Sequence, residues 1–395
     1  MYHRRVFYRL LPLVFTTWST GAVSVNAQDQ HHASMHDSGH SGHHGHLGQA
    51  VSCTDLASPP WAGLPSYDRS KIKDLQDSLA SLSTPNAARA AGFLPALGEI
   101  PGMGQHYVSL ELSMNNDVNV DKPNNLLFAN IDGEDQLVGV AYLFMDEVNT
   151  DKEIPFQSKL AAWHDHPQFA GPGQTLHMLH VWFIESSNGP FAGLNFWLPF
   201  KTAGIAIPNP CWMADEEMVD KIRFVSVMFA QFTQGIRGFL SYLSPPSPDE
   251  SGKSLADRET EQIKRAKDAS RQFGSPLNDS EVENMIMAGL RDESATTLPL
   301  LEGLTFIADA PFARENEGLS ERFLKFHEIA VQLNAAARDD DKLAWNNAAD
   351  RWIENSSEEE KKGVQRTLNE LTNNQMSSEE RDAAGIEQPT NTGVN

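Results

Sequence analysis

Two hydrophobic periods alternate along the chain, and the switches between them divide it. Residues 68–82 carry helical spacing, with Ile72, Leu75, Leu79 and Leu82 three or four positions apart. A second short helix is predicted over residues 86–91, behind Pro85. Between 53 and 66 the chain reads as Pro-punctuated loop. From about residue 98 the period shortens to two. Residues 106–112 alternate, which puts His106, Val108, Leu110 and Leu112 on one face of a strand. Residues 126–131 and 136–145 are apolar runs joined by Asp132-Gly133-Glu134-Asp135, a hairpin signal. Residues 177–184 and 193–200 read as two further strands.

After Cys211 the helical period returns. Asp215 suits an N-cap, with Glu216 and Glu217 in the first turn, where the helix dipole favours acids. Met218, Ile222, Val225, Phe229 and Phe232 follow as one stripe. Pro245-Pro246-Ser247-Pro248 sits in a stiff linker, 245–251. It separates a β-rich domain with flanking helices (53–244) from a helical region (252–385). Helices are expected there near 255–273, 279–292, 319–338, 341–354 and 357–373. Leu319, Phe323, Phe326, Ala330 and Leu333 form one apolar face. Residues 386–395 read as a disordered tail. The predicted class is α+β: an antiparallel sheet or small barrel, then an acidic α-helical region.

The N-terminus changes the picture. Arg4, Arg5 and Arg9 precede an interrupted apolar stretch that ends in Val25-Asn26-Ala27, so residues 1–27 read as a secretory signal peptide. An extracytoplasmic protein, periplasmic or secreted, is the expectation, with no stable membrane insertion once the signal is cleaved. Cys53 and Cys211 are the only cysteines. In an oxidising compartment they are expected to form a disulfide, the alternative being two buried thiols. Neither lies in CxxC spacing, which argues against a thiolate zinc site. The net charge is −22, and residues 249–387 hold 30 of the 53 acidic residues but 17 of the 31 basic ones. That balance argues against nucleic acid and anionic membranes as partners.

Histidine carries the candidate chemistry. Residues 28–52 form a low-complexity tail, expected to be disordered, holding His31, His32, His36, His40, His43, His44, His46 and Met35. This composition resembles the His/Met-rich tails of periplasmic copper- and nickel-handling proteins. Five more histidines lie in the β region: His106, His164, His166, His177 and His180. In extended backbone His164 and His166 project to one face and can chelate one ion. By alternation His180 shares a face with Met178 and Trp182. His177 points the other way with Leu179, Val181 and Phe183, so it joins the set only through a bulge or turn. The candidate metal ligands are therefore His106, His164, His166, His180 and, fifth, His177. Glu111 and Glu185 are the possible carboxylate partners.

Copper, nickel and zinc all suit such a set, and Met103 and Met178 lean toward copper. Metal binding needs neutral imidazole, so affinity is expected to fall near and below pH 6. Two other readings stay open. One is a metal-dependent extracytoplasmic enzyme with an activated water. The other is a structural or interaction protein whose histidines are core residues, with a protein partner or self-association through the helical region. The sequence holds no GxSxG, HExxH or P-loop motif to nominate a catalytic residue.

Two resemblances follow from these residues. His164-x-His166 with Pro172-Gly173 and His177 is similar to cupin motifs, but no glutamate follows at the cupin distance and the histidine groups stand too close together. Over about residues 90–200, five segments look like motifs of a family of exported bacterial proteins of unknown function. They are Ala91-Gly92-Phe93 with Pro95, Ile100-Pro101-Gly102-Met103-Gly104-Gln105-His106-Tyr107, Leu137-Val138-Gly139-Val140-Ala141-Tyr142, His180-Val181-Trp182 and Asn188-Gly189-Pro190-Phe191. The family's usual last motif is N-P-x-G-x-F, from which this chain departs. The resemblance implies no activity and singles out His106 and His180.

Overall fold

A computed structural model describes residues 52–114, 118–147, 153–166, 169–170, 173–243, 298–316 and 318–373, with isolated positions between 257 and 283. The expected signal peptide, the histidine-rich tail, the proline linker, most of 255–292 and the C-terminal tail lie outside the described residues.

Helices open the described chain. Ser52 caps α1 (Cys53–Ala57) through a reciprocal box with Asp55, so a short helix stands where loop is expected. The predicted 68–82 helix is α2 (Ser66–Ser78), followed by a 3₁₀ turn at Ala80–Leu82. Thr84 caps α3 (Pro85–Ala90), with Pro85 in the first turn where its missing N–H costs nothing.

Six strands then form one antiparallel sheet. They are β1 (Phe93–Ile100), β2 (Gly104–Ser109), β3 (Asn125–Ile131), β4 (Glu134–Glu147), β5 (His164–His166) and β6 (Gln174–Trp182), in the order β1-β2-β3-β4-β6-β5. The sheet is open, with β1 and β5 at its edges. Asp132 and Gly133 join β3 to β4 as a two-residue turn, both at positive φ (54° and 83°), so the hairpin is of the tight type its sequence announces. Gly102 and Gly104, at φ 76° and 71°, fold β1 back onto β2. A Cβ at Gly104 would stand 2.5 Å from the Phe128 carbonyl oxygen, so only glycine lets β2 approach β3 there.

Two expected strands are corrected. The strand through His106 ends at Ser109. Ser109 accepts from the Leu112 amide and the Ser113 hydroxyl, turning the chain into α4 (Leu110–Met114). Leu112 consequently packs on the core opposite His106. Residues 193–200 form no strand. The Asn195 side chain donates to the Glu185 carbonyl and accepts from the Trp197 amide, and Pro199 sits in the first turn of α5 (Leu198–Thr202). A short apolar run fits a buried helix as well as a strand, and here proline decides for the helix.

One sheet face buries Tyr107, Leu126, Phe128, Val140, Tyr142, Leu179 and Val181 against Ile72, Leu75 and Ala88 from α2 and α3. The other carries Leu127, Ala129, Val138 and Trp182 under Leu198 of α5. After a 3₁₀ turn (Pro210–Ala214) comes α6 (Glu216–Leu243), where Asp215 accepts from the Glu217 amide as the sequence predicts. The remaining helices are α7 (Leu300–Asp309), α8 (Pro311–Glu315), α9 (Leu319–Arg338), α10 (Lys342–Asn355) and α11 (Glu358–Asn373). The α6 stripe packs with Phe326, Ala330 and Leu333 of α9 and with Trp345 and Trp352 of α10 in one large core. Arg237 of α6 ties this bundle to the sheet, pairing with Glu99 at 3.2 Å and donating to Asn130 and the Thr202 carbonyl. Among the described residues, no helix is long and apolar enough to cross a membrane.

Cys53 and Cys211 form the disulfide, with Cα atoms 5.3 Å apart and 158 positions between them in sequence. It links α1 to the segment that leads into α6, spanning the whole sheet. Closing so long a loop constrains the unfolded chain by about 5 kcal/mol on the loop-entropy account. The Cys53→Ser/Cys211→Ser protein is expected to keep the far-ultraviolet circular dichroism of the native chain while its urea midpoint drops. A midpoint within error of the native one would show that the link adds no stability.

Candidate functional site

Strand pairing sorts the histidines. Residues paired across strands lie on one face of a sheet. Ala141 stands opposite His180, Leu143 opposite Met178, and Met178 opposite His164. On the far side His106 stands opposite Leu127, Leu127 opposite Gly139, and Gly139 opposite Trp182. His106, His164, His166 and His180 therefore share one face, in agreement with the alternation that sets His164 with His166 and His180 with Met178 and Trp182.

Their rings are close. The His164 centroid lies 5.0 Å from that of His166 and 5.0 Å from that of His180, and His106 lies 6.0 Å from His180. The last distance needs explaining, because two strands separate β2 from β6. In a flat sheet, positions three strands apart stand about 14 Å apart. On this face the intervening β4 contributes only the small residues Gly139 and Ala141, and β3 contributes Leu127 and Asn125. Gly139 is indispensable to this packing: a Cβ there would fall 2.7 Å from the Val181 carbonyl oxygen and 3.4 Å from Leu127.

All four histidines are buried. Neither nitrogen of His106 or His180 has a hydrogen-bond partner of ordinary geometry, and neither does Nε2 of His164. Burial pushes the His106 imidazole down to about 4, with the Gly104 backbone opposing it in part. Burial, with His106 adding to it, lowers His164 to about 3. His180 is held well below its ordinary value by burial first, then by His164, His106 and His166. The three rings are thus neutral at physiological pH and able to donate lone pairs. Among the described residues, however, no group of three or more His, Cys, Asp or Glu side chains is disposed to hold a metal ion as it stands.

The other candidates lie elsewhere. His177 turns to the opposite face, where its Nδ1 pairs with Asp165 Oδ1 at 2.7 Å and its ring stacks on Phe144 at 4.4 Å. No bulge brings it to the others, because β6 pairs with β4 in unbroken register from Gln174 to Trp182. Glu185 pairs with Lys201 at 2.8 Å. Burial raises its carboxyl, but the Lys201 contact outweighs this and leaves it below its usual range. Glu111 is exposed on α4. Met178 lies on the histidine face beside Ala141 and Leu143, whereas Met103 packs apart with Leu194 and Phe196. The seven tail histidines fall outside the described residues.

Sequence reasoning missed Asn125. It is fully buried with neither amide atom hydrogen-bonded, and it stands opposite Ala141, in the row that leads to His180. Counting back by two from Leu127 would have placed it on the His106 face. Three of the singled-out segments take up neighbouring strands: Gly102–Tyr107 folds β1 onto β2, Leu137–Tyr142 is the middle of β4, and His180–Trp182 ends β6. No protein-family model, curated protein or solved structure matches the chain.

Two outcomes follow from this geometry. A ring whose folded-state pKa is depressed stabilises the fold above pH 6.5, and that stability is lost as pH falls toward the folded value. Between pH 7 and pH 5 the metal-free protein is expected to lose about 2 kcal/mol for each of His106 and His164. Urea midpoints across that range test this; a flat profile contradicts neutral burial. Separately, Asp165→Asn weakens the contact that holds β5 from the opposite face. Hydrogen exchange at the amides of residues 164–166 should then accelerate at least several-fold, and unchanged protection would show that β6 pairing alone secures the strand.

Proposed function

We propose that this is an exported transition-metal-binding protein whose core site is built from His106, His164 and His180, with His166 beside them. One observation carries the reading: three neutral imidazoles share one sheet face, buried, and most of their ring nitrogens lack a hydrogen-bond partner of ordinary geometry. Buried polar groups are ordinarily hydrogen-bonded, and a buried group left unanswered costs about 1–3 kcal/mol. Coordination to one ion answers several of these nitrogens at once. Because no group of three or more His, Cys, Asp or Glu side chains among the described residues is disposed to hold an ion as it stands, coordination requires the rings to turn about their χ1 and χ2 bonds. Copper, nickel and zinc all accept imidazole, and the Met178 thioether on the same face inclines the site toward copper.

Two further observations support the setting. A disulfide persists in oxidising compartments, which agrees with export through the apolar N-terminal leader. The histidine-rich tail is the second metal-binding element, collecting ions ahead of the core. The enzyme reading has less behind it. Of the two nominated carboxylates, Glu185 is held by Lys201 and Glu111 is exposed, and Asp165 is turned to the far face, so none of the three faces the rings as a general base.

A second reading draws on the absence of a metal-holding arrangement among the described residues. In it the rings are packing groups of a structural protein. Partners would then dock on the helices, where Phe306, Leu324 and Leu343 are exposed.

Metal analysis separates the two. The chain is purified without an added tag and with its seven tail histidines changed to Ser, then loaded with Cu²⁺, Ni²⁺ or Zn²⁺ and desalted. One retained equivalent, lost in His164→Ala and His180→Ala, is expected. Retention of less than a tenth of an equivalent would leave the tail as the only metal-binding element and favour the structural reading.

A further inference from the structure

We infer that residues 153–166 are a strap across the edge of the sheet, latched by Asp68, and that unlatching it opens the buried histidine face to small polar solutes. The route is the same whatever those solutes are, and so stands apart from metal binding.

Asp68 interrupts an apolar stripe. The buried residues of α2 are Asp68, Ile72 and Leu75, and Asp68 is fully buried. Its partners are two consecutive main-chain amides. Oδ1 accepts from Gln157 at 2.8 Å and Oδ2 from Ser158 at 2.7 Å, across 89 and 90 positions of sequence. A buried carboxylate is tolerated where several donors meet it. Leucine at 68 would extend the stripe of Ile72 and Leu75, but would leave both amides unanswered. The charge serves the strap.

The strap is otherwise lightly held. Its own backbone bonds are local: the Leu160 amide donates to the Ser158 hydroxyl and the Ala161 amide to the Ser158 carbonyl. Phe156 packs on Phe191 at 4.6 Å and Trp163 on Phe144 at 4.9 Å, while Ile154 and Leu160 are exposed. At its end β5 pairs with β6 over three residues, whereas β4 pairs with β6 over nine. Local opening selects the segment with the fewest buried contacts and ladder bonds, so the strap parts before the sheet does.

What it covers follows from the rings. His164 and His166 ride on the strap, and the His164 ring lies 5.0 Å from those of both His166 and His180. Lifting β5 carries His164 and His166 into water and bares the side of His180 that His164 covered. His106, on β2, stays with the sheet. Asp165 leaves His177 in the same movement, which makes that pair a second latch. Asp68 and Asp165 both act from the face away from the cluster, where Ile72 and Leu75 of α2 pack. Fastening the strap therefore leaves the imidazoles chemically untouched.

The test uses the metal-free full chain and reads amide hydrogen exchange together with carbethoxylation by diethyl pyrocarbonate, located by peptide mass. In the native protein, residues 164–166 are expected to exchange through an opening at least about tenfold more populated than the one that frees residues 140, 179 and 181. Asp68→Ala touches none of residues 164–166. It should still speed their exchange, and the carbethoxylation of His164 and His166, at least about tenfold, the scale of one hydrogen bond to a charged group. Residues 140, 179 and 181 should change little. Asp68→Asn, which keeps one acceptor oxygen, should fall between the two. Native exchange of strap and central strands through one common opening overturns the inference, and that comparison decides even if Asp68→Ala fails to fold. Equal acceleration of strap and central strands in Asp68→Ala also overturns it, marking Asp68 as a general stabiliser. Faster strap exchange with unchanged reactivity of His164 overturns the gate, because the strap would then move without uncovering the rings.

Discussion

The alternation of side chains along β6 governs the chemistry of this protein. Because the strand stays in unbroken register with β4, Met178, His180 and Trp182 must face one way and His177, Leu179 and Val181 the other. A one-residue slip would put His180 among the aromatic residues of the first core and His177 among the other rings. Such a slip is strongly opposed, since it would also pull Leu179 and Val181, which are completely buried, out of the core they pack in. The apolar core thus fixes where each imidazole points, although no core residue touches the chemistry. Gly139 adds a second condition, for a Cβ there would meet the Val181 carbonyl oxygen at 2.7 Å and disturb the pairing of β4 with β6.

The two faces of the sheet treat histidine in opposite ways. On one, His177 has a carboxylate at 2.7 Å and an aromatic ring to stack on, the ordinary solution for a buried imidazole. On the other, neither His106 nor His180 has a carboxylate partner, and His106 lowers the proton affinity of His180. A chain selected only for stability has an available remedy, since leucine or phenylalanine would fill the same space without an unanswered nitrogen. Keeping three such rings and an idle asparagine together costs several kcal/mol by ordinary hydrogen-bond accounting. The two large cores and the long disulfide loop supply stability against which that cost can be carried. Local rules broken without local compensation mark functional sites, and this face is where the chain breaks them most densely.

Most of the sheet was legible because hydrophobic period and turn chemistry agree there. Asp132-Gly133 announces a tight hairpin, and Leu126 to Ile131 and Gln136 to Met145 supply its arms. The α9 and α10 helices were equally legible, since Phe323, Phe326, Ala330 and Leu333 recur on one side of a long amphipathic pattern. What failed was local. The run from Gly193 to Phe200 is apolar enough for a strand, but the side chain of Asn195 spends its hydrogen bonds on turn backbone and Pro199 starts a helix. Ser109 ended β2 by the same kind of side-chain to backbone competition. Counting alone put His164 with His166 and separated His180 from His177, but it could not join the strands into one face. Their closeness was not legible, because strand order and sheet curvature are tertiary facts. Asn125 was missed because a buried asparagine before a strand looks like turn residue; only its pairing with Ala141 reveals otherwise.

The placement of β5 completes the argument. It is three residues long, it lies at the sheet edge, and two of its residues are histidines of the cluster. So short an edge strand has few backbone hydrogen bonds of its own, and its middle residue secures it. Asp165 stands opposite His177 and binds it, His177 stacks on Phe144, and Phe144 meets Trp163 edge-on at 4.9 Å. All of these contacts lie on the face away from the cluster. The spacing His-Asp-His therefore does two jobs with one strand: the outer residues present imidazoles to one side, while the central carboxylate fastens the strand from the other. A substitution that damages the Asp165 anchor should disturb His164 and His166 together without touching either, whereas a change at Met178 would act on His164 alone from within its own face.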